Sequence, residues 1–130
     1  MHKPIPSLIE AFIQAGFPSA ADDPLEMPLD LHAMMVKKPA ATFFIRVEGD
    51  SMKGAGIYSK DLLVVDRSIT DYENKIVVAR INDEFTVKRL IKENTTIILK
   101  PENPNYPPIQ IREEMDFEIW GVVTFAIHAL

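Results

Sequence analysis

The sequence has no cysteine. Disulfides, thiol nucleophiles and thiolate metal sites are therefore excluded together, and a reducing, cytoplasmic setting is expected. Histidine is scarce. His2, His32 and His128 are dispersed, and none is flanked by other metal-ligand residues. No metal site is expected, because a metal needs two or three ligands at workable spacing. No nucleophile-elbow sequence supports a Ser-His-Asp triad. Glycine is also rare, at five residues, and the five do not form a phosphate-cradling loop. No cofactor is expected. Long apolar runs are missing. The stretch Trp120 to Ala126, broken by Thr124, is too short to cross a bilayer as a helix. Residues 1–14 do not read as a secretory signal, so a soluble protein without a membrane contact is expected. Positive charge is sparse: the net charge is −5, and the longest basic run is Lys37–Lys38. Direct sequence-specific DNA binding is not expected without a concentrated basic patch.

What is present is an ordinary globular composition, 47% apolar and 25% charged over 130 residues. Its organisation is uneven. Residues 3–14 predict one or two weak helical turns, from the spacing of Leu8, Phe12 and Ile13. Residues 15–40 read as an arm rich in proline, with a short helix over Leu29 to Val36 and Asp30 as its N-cap. Residues 41–130 read as a mainly-β, antiparallel body. Strands are predicted at 42–47, 62–65, 75–81, 84–91, 95–99 and 116–127, from β-branched and aromatic runs between turn signals. Asn82-Asp83 predicts a hairpin. In the last strand, alternation puts Phe117, Ile119, Val123, Phe125 and Ile127 on one face and Trp120, Val122 and Ala126 on the other. Two apolar faces predict burial on both sides, with part of a dimer interface as the alternative.

Three features can carry chemistry. Ser51 lies in Glu48-Gly49-Asp50-Ser51-Met52, just beyond a predicted strand. A serine there can face an open site, with nearby N–H groups free to stabilise an oxyanion. Taken alone, such a sequence is more often a plain turn. Lys88 lies in Phe85-Thr86-Val87-Lys88-Arg89-Leu90, where Thr86, Lys88 and Leu90 share a face. It is either a solvated lysine or a partly buried amine whose lowered pKa lets it act as a base. Such an amine can activate a serine without histidine. Ala15-Gly16 is either a simple turn or a scissile bond in a segment that can be drawn into a cleft.

Together these features resemble the UmuD family of SOS mutagenesis proteins, which share a peptidase domain with the LexA repressor. Ala15-Gly16-Phe17-Pro18-Ser19 resembles the family's cleavage segment, and Pro39 to Phe44 the entry to its first catalytic-domain strand. Gly49-Asp50-Ser51-Met52 resembles the nucleophile motif, Lys60 to Asp66 the strand after it, and Glu84 to Leu90 the lysine motif. About 35 residues separate Gly16 from Ser51, and about 37 separate Ser51 from Lys88. Order and spacing also resemble the family's.

The resemblance implies a LexA/UmuD-like β peptidase domain over 41–130 behind a flexible arm, 1–40. It implies Ser51 as nucleophile, Lys88 as general base, the N–H groups of Ser51 and Met52 as oxyanion donors, and cleavage between Ala15 and Gly16. It further implies a homodimer, cleavage promoted by the RecA–single-stranded-DNA filament, and a trimmed form that assembles with a Y-family polymerase subunit (UmuC-like). Residues 1–14 cannot hold a helix-turn-helix, so a LexA-type repressor is not expected. The alternative is a non-catalytic β-rich interaction module.

Overall fold

The computed structural model describes residues 4–130 apart from 12, 19 and 22. The chain folds as two compact units, one running to Met34 and the other spanning Met35–Leu130.

In the first unit, β1 (Ser7–Glu10) pairs antiparallel with β2 (Leu25–Pro28). The helical turns expected over 3–14 are therefore not formed at Ser7–Glu10. Pairing with β2 satisfies the backbone groups of these residues instead. Pro6 lacks an N–H group and disfavours a helical conformation at Ile5 before it. Pro6 instead offers its carbonyl to Leu29 N at 2.8 Å, which prolongs the pairing. His2 and Phe12 lie outside the described residues. The expected short helix is found as α1 (Leu31–Met35), and Ala33 N donates to Asp30 Oδ1 at 3.2 Å.

The second unit is built on seven strands: β3 (Thr42–Arg46), β4 (Leu62–Asp66), β5 (Ile76–Ile81), β6 (Glu84–Glu93), β7 (Thr96–Lys100), β8 (Ile109–Gln110) and β9 (Phe117–Ile127). They form one sheet in the order β3-β4-β9-β5-β6-β7-β8, antiparallel at every pairing. The mainly-β, antiparallel expectation is borne out. At the β5–β6 hairpin, Asn82 (φ 48°) and Asp83 (φ 70°) both take the left-handed conformation that such a two-residue turn requires.

The sheet has apolar packing on two sides. One cluster gathers Met52, Ile57, Leu63, Val65, Val78 and Val87, and a second gathers Val77, Ala79, Leu90, Leu99 and Val122. Strand β5 supplies Val78 to one and Val77 and Ala79 to the other, which is why its sequence is apolar without alternation.

The face assignment for β9 needs correction. Its register against β5 skips Trp120, and its register against β4 skips Thr124. A bulge inserts one residue and reverses the parity beyond it. Phe117 and Ile119 consequently pack in the same cluster as Val122, while Trp120 packs with Val123. At Gly121 the backbone runs so close to β4 that a Cβ would lie 2.6 Å from Val65 Cγ1.

Candidate active site

Ser51 sits where the chain leaves edge strand β3. Val47 N donates to Asp61 O at 3.0 Å, and Lys60 N to Val47 O at 2.6 Å, so pairing continues past the strand. The chain then turns at Gly49, whose φ of 92° suits glycine. Gly49 N donates to Ser59 Oγ at 3.1 Å. Met52, 3% exposed, is a member of the first apolar cluster and anchors the turn from below. A 3₁₀ turn, Lys53–Ala55, follows.

A second loop grips this turn. Glu102 N donates to Ser51 O at 2.8 Å, and Gly54 N donates to Glu102 O at 2.7 Å. A Cβ on Gly54 would lie 2.5 Å from Glu102 O, so only glycine permits that approach. Asn103 Nδ2 donates to Asp50 O at 3.0 Å, and the Tyr106 hydroxyl donates to the Asp50 carboxylate.

Lys88 comes from the middle of β6, opposite Val77. Its neighbours Val87 and Leu90 enter the two different apolar clusters, so the strand is covered on both sides. Lys88 is 9% exposed. Burial lowers its pKa, because desolvation penalises the ammonium. Among the described residues no carboxylate pairs with it. Its Nζ lies 3.0 Å from Ser51 Oγ, 2.7 Å from Thr86 Oγ1 and 3.1 Å from Val87 O.

The arrangement suits proton abstraction. An ammonium has three donors and no acceptor. A neutral amine keeps two N–H bonds, enough for Thr86 Oγ1 and Val87 O, and aims its lone pair at the Ser51 hydroxyl. Both residues line a cleft of about 470 Å³ with Val47, Gly49, Met52 and Phe85. Within the second unit, neither Ser51 N nor Met52 N donates to an acceptor among the described residues.

Ala15 and Gly16 are exposed and belong to the first unit, with Phe17 beside them 78% exposed. Ser19 lies outside the described residues. A Cβ on Gly16 would meet nothing within 4 Å, so crowding does not explain this glycine. His32 is exposed in α1. His128 Nδ1 lies 3.2 Å from Oδ2 of the buried Asp61, which also accepts from Tyr58 N at 2.8 Å. No hydroxyl among the described residues bonds that ring, so the pair is not part of a triad. Sequence reasoning missed the loop of Glu102, Asn103 and Tyr106. Its prolines and asparagines signal turns but not what they hold.

The sequence matches the Peptidase S24-like family over residues 7–124. The chain belongs to that family. It is 46% identical to Protein SamA of Salmonella typhimurium over 129 residues, which cover 97% of this chain and 89% of that one. It is 45% identical to Protein MucA of Escherichia coli over 116 residues, 88% of this chain and 79% of that one. The LexA repressor of Hahella chejuensis is 39% identical over 85% of this chain but 56% of its own length. These relatives place the chain in the UmuD group of the Peptidase S24-like family. The family is one of serine peptidases with self-cleaving members, and a LexA/UmuD-type self-cleaving role follows for the chain. Among its described residues, no helix is long and apolar enough to cross a membrane.

Proposed function

We propose that Ser51 and Lys88 form the dyad with which this peptidase cuts its own Ala15–Gly16 bond. The observation that carries the reading is the 3.0 Å approach of a desolvated amine to the serine hydroxyl. Neutral Lys88 takes the Ser51 proton while Oγ attacks the Ala15 carbonyl carbon. The N–H groups of Ser51 and Met52 stabilise the oxyanion. The Lys88 ammonium then protonates the Gly16 nitrogen as the C–N bond breaks. Lys88 next deprotonates a water that attacks the ester, and the proton returns to Ser51 Oγ. The products are a peptide ending at Ala15 and a body beginning at Gly16.

The same reading gives the trimmed body its role, as a homodimeric accessory subunit of a Y-family translesion polymerase. The RecA–single-stranded-DNA filament accelerates the cut. SamA and MucA, which match nearly the whole chain, support this assignment over that of a repressor.

Incubation of purified protein, with and without activated filament, tests it. Mass spectrometry is expected to find a fragment starting at Gly16, formed faster with filament. Ser51→Ala and Lys88→Ala are expected to stay intact. A wild-type chain that never cuts, even with filament, would point to a non-catalytic interaction module.

A further inference from the structure

Ser51 and Lys88 are held by separate parts of the second unit, a loop after β3 and the middle of β6. Their approach to 3.0 Å therefore needs something to fix loop against strand. Glu102 touches both. Its backbone N–H donates to Ser51 O at 2.8 Å and its carbonyl accepts from Gly54 N at 2.7 Å. Its carboxylate accepts from Arg89 Nε at 2.6 Å, and Arg89 is the residue after Lys88. Arg89 is fixed in turn, since its NH1 donates to Asn74 O at 2.6 Å. The two side chains are 31% and 25% exposed, so the pair is sheltered rather than a free surface contact. A charge-assisted bond this short holds geometry better than a neutral one.

We propose that the Glu102–Arg89 pair is a positioning device that sets the separation of Ser51 and Lys88. Neither residue touches substrate. The pair transmits the place of β6 to the serine turn, and Ser51 attacks fastest while the pair is closed. This inference rests on the Ser51–Lys88 dyad proposed above. A displacement of about 1 Å between reacting groups can lower a rate by about a hundredfold, so a loosened clamp should be plainly visible in kinetics.

The test uses the full chain and a fluorophosphonate, which needs no cleavage segment. Ser51 Oγ forms a bond to phosphorus, fluoride leaves, and Lys88 takes the hydroxyl proton. Adduct formation is followed by intact mass, and the site by peptide mapping. Rates are compared on the high-pH plateau, where Lys88 is neutral in every variant, and well below each melting temperature. The parent is expected to label at Ser51, and Lys88→Ala to remain unlabelled. Glu102→Gln and Arg89→Gln are each expected to slow labelling about tenfold. The double variant is expected to be slowed about tenfold as well, because both changes open one contact. Glu102→Asp and Arg89→Lys keep the charges and are expected to recover part of the rate. They carry the test if the glutamine variants do not fold. Folded variants labelling within about twofold of the parent would overturn the inference and leave the dyad standing. A double variant slowed by the product of the two single losses, about a hundredfold, would also overturn it. A parent that does not label at Ser51 would overturn the dyad, and the clamp with it.

Discussion

The Lys88 amine meets three oxygens, Ser51 Oγ, Thr86 Oγ1 and Val87 O, in a largely buried site. Burial penalises its charge, and this has a consequence for stability. The folded-state pKa lies below the ordinary 10.5 of lysine. The cost of burying the ammonium is thus fully present below that lowered value. It disappears as pH rises through the lowered value towards 10.5. Lys88→Met carries no such cost. Its melting temperature, relative to the parent, is expected to be most favourable near about pH 7 and to lose ground as pH rises. Thermal melts across pH check the sign. Thr86 acts on the same amine. Thr86→Val keeps shape but removes an acceptor, and is expected to slow self-cleavage about tenfold while the fold is retained. The face shared by Thr86 and Lys88 was legible from strand alternation. The burial of Lys88 was not, because alternation cannot tell a solvated face from one covered by distant loops.

Strands were legible where local chemistry decides them. The run Lys75 to Ile81, the turn Asn82-Asp83 and the run from Glu84 announce a hairpin, and β5 and β6 form it in register. Asp83 holds a φ of 70° that favours glycine, and its side chain is 97% exposed. Asp83→Gly is expected to stabilise the protein by on the order of 0.5 kcal/mol, read as a higher melting temperature. Less was legible where partners far along the chain decide. Strand β9 looks regular in sequence, yet β4 and β5 impose a bulge each, and the second face changes accordingly. Gly121 sits between those bulges. Gly121→Ala drives a methyl into Val65 and is expected to cost about 1–3 kcal/mol in denaturant unfolding. The pairing of β1 with β2 was also hidden, since residues 3–14 carry a faint helical spacing and the partner strand lies about fifteen residues on.

At the scale of the molecule, topology makes the site. Residues about 37 positions apart meet because β3 ends beside the pocket that β6 lines, and because Met52 and Val87 share one apolar cluster. No local pattern could give the 3.0 Å approach of Ser51 to Lys88. It was anticipated only through the resemblance, which linked motifs that each read more readily as plain structure. The loop from Glu102 to Tyr106 had no such motif, and its grip on the serine turn is visible only in the fold. The central claim is that uncharged Lys88 activates Ser51. Its most direct test is the rate of self-cleavage at Ala15–Gly16, followed by intact mass from about pH 6 to about pH 11. The rate is expected to rise to a plateau with a midpoint below 10.5, and to vanish in Lys88→Ala at every pH. A rate that does not change with pH, or cleavage that persists in Lys88→Ala, would contradict it.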